Sequence, residues 1–450
     1  MRKFIVFTIL TGIWSISPVL GQNPVFITQQ KGPILYFHVA NDNVHTTADV
    51  YTLSGKRIAR VFDKIVSHGD YSFNPFAGSN LPQQMYIVRL TNGTRTESIS
   101  MMNLGNTSIS KSNLNPNQAL SAKLAKVASD NKVPTNIPGV FTIAAPPQGF
   151  DPVTAKDVDL AYYGFPPRPD SSISPKGFAA WKKGVTLSKT RIMPILKQTN
   201  LHYSPMQTTS PNWCGIVAEP HNPFTHAYGD NGCVYYLYGT FMVPVAQQAH
   251  GSCTGNWDYG ASWLGIDGFF NHPVDLLQSG IAFDAYCNGG VTYTSYYAWY
   301  EWVPAAAVSI QNVTITPGDV IWIEVWSTSA TEGNVYVSNA NTQQSFYIDF
   351  QAPPGTQLLG NSAEWITERP LLSNGQLATL TNYTYVPFWD SYVWTFGGST
   401  YPFSDPYGFG INMVDASNNV ISKQGLPGEN SVVTEAAGPA LGGNYFYDPW

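Results

Sequence analysis

Charged side chains are scarce in this 450-residue sequence. They make up 12% of the residues, about half the usual share. Aromatic residues reach 14%, so the composition excludes a disordered chain and a coiled coil. With 23 basic against 29 acidic residues, it also excludes a nucleic-acid binder with a dominant basic surface. No nucleic-acid partner is expected.

Cysteine is rare as well, and no two cysteines have the C-x-x-C spacing typical of zinc sites. We therefore expect no metal and no cofactor. An even number of cysteines in an exported protein indicates disulfides. Among the possible pairings of Cys214, Cys233, Cys253 and Cys287 we favour Cys214–Cys233 and Cys253–Cys287.

Long hydrophobic runs are missing except at the N-terminus. Two basic residues, the apolar stretch 4–16 and a small-residue site at 19–21 have the pattern of a secretory signal peptide over residues 1–21. The apolar stretch is too short to span a bilayer. The sequence predicts a secreted, extracellular or periplasmic protein with no membrane contact after cleavage.

Basic residues are nearly absent from the second half. Residues 201–450 contain two of them, Arg369 and Lys423, against 19 acidic residues, whereas residues 1–200 contain 21 basic and 10 acidic residues. An acidic region repels itself less as its carboxylates become protonated. The division is compatible with plain solubility, but it also predicts an acid-adapted C-terminal domain that attracts a basic N-terminal half.

Turn residues and strand-like runs predict an all-β protein. Residues 22–103 have the pattern of a small β domain, and Val50–Arg57 resembles the sorting domains of type IX secretion, although a structural role is the safer interpretation. Residues 104–205 predict a linker and a basic connector. Its one helix should have Ser174 as N-cap, Pro175 at the first position and Gly184 at its end. Residues 206–450 predict a sandwich of two antiparallel sheets.

The motifs of common hydrolases are missing too. There is no G-x-S-x-G, H-E-x-x-H, P-loop, Asp-Thr-Gly or Asp-Ser-Gly. His202, His221 and His226 lie near one another without ligand spacing, and a histidine base would be protonated in acid.

Four polar-aromatic segments stand out instead, namely Trp263–Gly268, Leu276–Gly280, Tyr297–Trp302 and Asn361–Glu368. Because alternate residues of a strand share a face, Glu301 should lie beside Trp299, and Glu368 on the same face as Glu364. Gln278 and Glu368 are polar residues within otherwise apolar strands. Taken singly, each is more often an exposed or satisfied residue than a catalytic one.

In kind and order, these segments resemble the glutamic peptidases of family G1, the eqolisins, over about residues 210–400. The resemblance implies a concanavalin-like β-sandwich, polypeptide substrates, cleavage at acid pH and synthesis as a precursor with an N-terminal propeptide. By motif, Gln278 of Leu-Gln-Ser-Gly and Glu368 of Glu-Trp-Ile-Thr-Glu are the catalytic pair. The side chains expected to line or support the site are Trp263, Asp267, Trp299, Tyr300, Glu301 and Glu364. Core packing is an equally good interpretation of the three aromatic ones.

An amide and a carboxyl suit hydrolysis in acid. A carboxylate on an apolar wall has a raised pKa and can take and return a proton. A glutamine donates a hydrogen bond at any pH and can stabilise an oxyanion. We expect Glu368 to be general base and then general acid for a water held near Gln278, without a covalent intermediate. The sequence departs from the fungal pattern at Ala282 and Tyr297, where acidic residues are common.

The basic half is expected to be either a propeptide or a permanent accessory module. As a propeptide, it would inhibit the enzyme through Lys182, Lys183, Lys189 and Arg191, which would block the cleft at neutral pH. Acidification would then lead to self-cleavage within Leu201–Pro211.

Two other functions remain open. A carbohydrate-binding or glycoside-hydrolysing sandwich has the same fold, with Glu364 and Glu368 as its carboxylate pair. A non-catalytic surface protein is the third alternative. A peptidase requires Gln278 to face Glu368, whereas a carbohydrate-active sandwich and a non-catalytic surface protein do not.

Overall fold

The computed structural model describes residues 27–102, 127 and 130–436. Its gaps within these ranges are 32–33, 40–41, 53–55, 68, 74, 77–80, 82–84, 94, 206–209, 220–227, 231, 249–252, 270–274, 399, 403–407 and 426–430. The predicted signal peptide, most of the predicted linker, and His221 and His226 lie outside the described residues. The chain divides into two compact units, residues 1–110 and 111–450.

The N-terminal unit contains two small antiparallel sheets. The first consists of β1 (Ile27–Lys31), β2 (Ile34–Val39) and β5 (Gly69–Phe73), and the second of β4 (Arg57–Val66), β3 (Val44–Tyr51), β6 (Met85–Asn92) and β7 (Arg95–Met102). Alternate apolar residues of both sheets, including Leu35, Phe37, Val50 and Val88, form one buried core.

The C-terminal unit is built on two large sheets. The 12-stranded sheet contains, in hydrogen-bonding order, β26 (Met413–Val414), β27 (Val420–Gln424), β28 (Val432–Ala436), β23 (Tyr385–Thr395), β13 (Val234–Met242), β19 (Val320–Ser329), β20 (Glu332–Asn339), β21 (Gln344–Gln351), β9 (Val140–Ile143) and β8 (Lys132–Pro134), with β10 (Thr190–Arg191) on β21 and β24 (Thr400–Pro402) on β23. The 9-stranded sheet contains β11 (Leu196–Gln198), β18 (Val308–Ile310), β17 (Val291–Val303), β16 (Leu276–Asn288), β15 (Ala261–Ile266), β22 (Ala363–Glu368), β12 (Trp213–Ala218) and β25 (Gly408–Ile411), with β14 (Trp257–Asp258) on β16.

The two sheets bury a common apolar interior. Leu264, Ile281 and Trp365 of the 9-stranded sheet belong to one cluster with Leu237 and Ile323 of the 12-stranded sheet. Burial of each such side chain contributes about 1.5–3 kcal/mol. The predicted sandwich of two antiparallel sheets is confirmed. Because side chains alternate between the two faces along each strand, a second set of them lies on the outer face of each sheet.

The connector covers the outer face of the 12-stranded sheet. Two helices of its described part are α1 (Asp157–Tyr162) and α2 (Pro175–Thr186). Trp181 of α2 is fully buried in a cluster that includes Tyr238 and Trp322. The connector and the sandwich therefore share one compact unit.

Helix α2 begins as predicted but ends later. The Ser174 hydroxyl accepts a hydrogen bond from the Gly177 amide at 3.3 Å, as an N-cap should. Gly184 lies inside the helix, which continues to Thr186, so the predicted end is wrong. A Cβ at residue 184 would lie 2.0 Å from Trp322. Close approach to that indole, and not helix termination, requires this glycine.

The cysteines form one disulfide among the described residues. Cys253 and Cys287 are bonded, as predicted. The predicted Cys214–Cys233 pair is wrong, because both thiols are free and buried. Cys214 points into the sandwich interior, whereas the Cys233 thiol donates to the Leu359 carbonyl at 3.0 Å. Within the described part of the chain, no helix is long and apolar enough to cross a membrane.

Candidate active site

The predicted catalytic residues lie on the outer face of the 9-stranded sheet. Neighbouring strands bring three rows of side chains side by side there. The first row is Glu364, Gly265, Gln278 and Glu301, the second is Ile366, Trp263, Gly280 and Trp299, and the third is Glu368, Ala261, Ala282 and Tyr297. Trp263 of β15 therefore lies diagonally between Glu368 and Gln278, with the small residues Ala261, Gly265, Gly280 and Ala282 around it.

Glu368 is held by two side-chain donors. Asn212 Nδ2 donates to Glu368 Oε1 at 2.9 Å, and Trp263 Nε1 donates to Glu368 Oε2 at 2.8 Å. Burial raises the pKa of Glu368 well above its ordinary value, although the Asn212 and Trp263 donors oppose the shift. The arrangement therefore provides a carboxyl that is strongly basic when ionised and fixed in orientation.

Gln278 is oriented by Glu301. Gln278 Nε2 donates to Glu301 Oε2 at 3.0 Å, and both residues are buried. Burial raises the pKa of Glu301 to about 7, against the lowering effect of His202, whose Nδ1 lies 3.6 Å from Glu301 Oε1. Glu301 thus fixes which way the glutamine amide points, and it is neutral in acid.

A short segment of the connector covers this face. Tyr203 is 1% exposed and its ring stacks on Trp299 with centroids 3.9 Å apart. The Tyr203 carbonyl accepts from Gln278 Nε2 at 2.9 Å. The backbone of Ser204 lies beside the Glu368 carboxylate and lowers its pKa slightly against the effect of burial. Gln278 and Glu368 are therefore buried beneath the chain's own backbone and not in the sandwich interior.

The Ser204 carbonyl has donors of its own. Asn212 Nδ2 lies 3.0 Å from Ser204 O, and Trp213 Nε1 lies at the same distance from it. Asn212 therefore contacts both Glu368 and the covering segment. Tyr203, Asn212 and Trp213 were not among the predicted site residues. The run Asn212-Trp-Cys-Gly215 opens the stretch that resembles the G1 peptidases and was a usable signal, but strand register, which sequence does not reveal, puts Trp213 opposite Glu368.

The predicted aromatic residues divide between the two faces. Trp263 bonds Glu368 and Trp299 stacks on Tyr203, so both lie in the site. Tyr300 does not line a cleft, because alternation on β17 turns it into the sandwich interior, where its ring lies 4.6 Å from that of Phe350. The prediction of a cleft position for Tyr300 is wrong.

Two predicted carboxyls belong to a neighbouring acidic cluster. Asp267 accepts hydrogen bonds from the backbone amides of Leu359, Gly360 and Asn361 at 2.8, 2.8 and 2.5 Å. It therefore holds the loop before β22 and does not contact the catalytic pair. Burial raises the pKa of Glu364 well above its ordinary value, and the charges of Asp267, Glu219 and Asp275 raise it further.

The four basic residues predicted to block the cleft do not lie over it. Lys182 and Lys183 are on α2, and Lys183 Nζ lies 3.0 Å from Asp390 of β23. Lys189 and Arg191 follow the edge of β21. All four are therefore on the segment against the 12-stranded sheet, and that part of the prediction is wrong. The residues over the site, Leu201–Pro205, include no lysine or arginine.

The described residues contain no group of three or more histidine, cysteine or acidic side chains able to hold a metal ion. The chemistry available on this face is that of an amide, a carboxyl and the donors around them.

Known proteins resemble the C-terminal unit. The sequence profile of the Peptidase A4 family matches residues 211–435. Aspergillopepsin-2 of Aspergillus niger is 30% identical over 261 residues, which is 55% of this chain and 83% of that protein. Scytalidopepsin B of Scytalidium lignicola is 36% identical over 109 residues, 24% of this chain and 39% of that protein. A crystal structure of scytalido-glutamic peptidase with a transition state analog inhibitor covers 50% of this chain and 98% of its own at 25% identity, with a TM-score of 0.41.

Proposed function

The chain belongs to the Peptidase A4 family, the G1 glutamic peptidases, and is an acid endopeptidase; we propose that Gln278 and Glu368 are its catalytic pair. One observation carries the assignment of the pair. The same two residues of the covering segment reach both side chains: the Tyr203 carbonyl accepts from Gln278 Nε2, and the Ser204 carbonyl shares the Asn212 amide with Glu368. Polypeptides are the substrates.

The reaction follows from those contacts. In the molecules in which Glu368 is ionised, it takes a proton from water as the water oxygen attacks the carbonyl carbon. Gln278 Nε2 donates to the oxygen, which becomes an oxyanion, and stays neutral at acid pH. Glu368 then gives the proton to the leaving nitrogen. No bond forms between the enzyme and the substrate.

Neighbouring residues set the geometry of the pair. Asn212 and Trp263 hold the two Glu368 oxygens, and Glu301 holds the Gln278 amide. Neutral Glu301 in acid still accepts from Gln278 through a carbonyl-type oxygen. A carboxyl and an amide held in this way cost little reorganisation when charge develops on the substrate.

The proposal extends to maturation and export. Residues 1–21 act as a secretory signal, and the connector is a propeptide that inhibits the enzyme. Support for inhibition comes from Leu201–Pro205, whose backbone occupies the hydrogen-bonding groups that a substrate would need. The backbone of Leu201–Pro205, and not the lysines of α2, performs the block.

A glycosidase is not favoured. Its carboxylate pair would have to be Glu364 and Glu368, yet Glu364 interacts with Asp267, Asp275 and Glu219. Glu368 interacts instead with Asn212 and Trp263. The two glutamates therefore belong to separate networks.

Replacement of the amide tests the assignment. Gln278→Ala should lower kcat for an unstructured protein substrate at acid pH by about 10²–10³-fold, because the oxyanion donor is lost. Gln376→Ala, which changes an exposed glutamine on the same unit, is the control and should leave kcat unchanged. Equal turnover by Gln278→Ala and the control would contradict the assignment.

A further inference from the structure

We infer that the Tyr203–Ser204 bond is the enzyme's own first substrate, cleaved within the same molecule, and that Trp299 forms a subsite for an aromatic residue on the acyl side of the cut. The inference rests on the proposed function and identifies the bond on which the pair first acts. It is more specific than the predicted processing stretch Leu201–Pro211, part of which lies outside the described residues.

The segment is anchored on both sides of the bond. Upstream, β11 pairs with β18 in antiparallel register, and the Thr199 amide donates to the Ala307 carbonyl at 2.9 Å. His202 exchanges two backbone hydrogen bonds with Leu371, at 3.1 and 2.7 Å. Downstream, the Ser204 carbonyl accepts from Asn212 and Trp213. These contacts fix which peptide unit lies at the catalytic pair.

That peptide unit has the orientation that hydrolysis needs. The Tyr203 amide donates to Glu301 Oε2 at 3.0 Å, and the Tyr203 carbonyl accepts from Gln278 at 2.9 Å. Asn212 Nδ2 contacts Ser204 O at 3.0 Å and Glu368 Oε1 at 2.9 Å. Asn212 therefore holds Ser204 beside Glu368, the group that must protonate the Ser204 nitrogen. The next peptide unit along has its carbonyl on Asn212 and Trp213 instead of Gln278.

The Tyr203 side chain occupies a formed pocket. Its ring stacks on Trp299 with an interplanar angle of 13°, and its hydroxyl end lies near Tyr297 and Asp284. Offset stacking contributes about 0.5–1.5 kcal/mol beyond the burial of the ring. A side chain without a ring would leave this pocket unfilled, so the pocket selects an aromatic residue.

The step is a balanced hydrolysis. A water oxygen bonds to the Tyr203 carbonyl carbon, and its proton goes to Glu368. The carbon–nitrogen bond to Ser204 then breaks, and Glu368 delivers the proton to that nitrogen. The products are a carboxyl group on Tyr203 and an amino group on Ser204. Because both reactants belong to one folded chain, the rate should not depend on protein concentration.

Acid incubation of the purified full-length chain tests the inference. N-terminal sequencing and mass spectrometry of the large fragment should give Ser204 as the new first residue, at a rate constant unchanged over a hundredfold dilution. Tyr203→Ala should slow this cut at least about tenfold. Tyr203→Phe should cut at nearly the wild-type rate, and Asn200→Ala, a change at an exposed residue on the same segment, should do so as well.

Hydrolysis of an added unstructured protein distinguishes a failure of this inference from a failure of the proposed function. A first cut at any other bond would overturn the inference, as would a rate proportional to concentration or equal rates for Tyr203→Ala and Tyr203→Phe. A chain that stays full length yet degrades the added protein would also overturn it while leaving the proposed function intact. A wild-type chain that neither cuts itself nor degrades the added protein in acid would contradict the proposed function itself.

Discussion

Glu301 makes the stability of the C-terminal unit depend on pH. The side chain is 1% exposed, and burial raises its pKa from 4.5 to about 7. A carboxyl with a raised pKa binds its proton more tightly in the folded state. Its contribution is therefore complete below about pH 4.5 and is lost as the pH rises towards 7. A shift of this size corresponds to about 3 kcal/mol.

Glu301→Gln removes this titration while keeping an acceptor for Gln278. The free energy of unfolding of the variant, relative to the parent, should rise by about 3 kcal/mol between pH 4 and pH 8. Urea unfolding followed by tryptophan fluorescence measures it, because every tryptophan after Trp14 lies in residues 111–450. Both proteins should carry Glu368→Gln, so that neither cuts itself.

Asn200→Ala in the same background is the control for the pH series. Neither asparagine nor alanine titrates, so the difference between this variant and the parent should not change with pH. If the Glu301→Gln difference is equally constant, burial does not raise the pKa of Glu301, and the pH dependence given to it here is refuted.

Two further predictions concern the scaffold. Gly184→Ala should destabilise the C-terminal unit by about 1–3 kcal/mol, because the cost of the clash between the added Cβ and Trp322 exceeds the gain of about 1 kcal/mol in helix propensity. Urea unfolding should show no such loss for Lys182→Ala on the same helix. Replacement of Cys253 and Cys287 by serine should cost about 2–4 kcal/mol, since their disulfide closes a span of 34 residues; an unchanged urea midpoint would contradict this.

Much of the site follows from alternation along strands. The two-residue period places Glu301 with Trp299, and Glu368 with Glu364, on one face, and the structure has both pairs in that arrangement. The same rule implies that Trp299 and Tyr300 cannot both face the cleft. An aromatic residue is suited to either face, which is why composition did not decide between them.

Contacts between distant parts of the chain could not be predicted from patterns in the sequence. The charge division indicated that the basic half would bind the acidic half, and Lys183 does contact Asp390. Charge alone does not say which sheet is contacted, so the lysines were placed on the wrong face. Cys214 and Cys233 are close in sequence, but β12 and the loop before β13 point their thiols to different surroundings. Register and loop paths, which sequence does not specify, account for both errors.

The most direct test of the account is the activity of Glu368→Gln on an unstructured protein between pH 2 and pH 5. The substitution keeps the shape of the side chain but removes the group that accepts and returns the proton. Wild type should be active, and the variant should be slower by about 10²–10⁴-fold while its tryptophan fluorescence stays native. A folded variant with wild-type turnover would contradict the account.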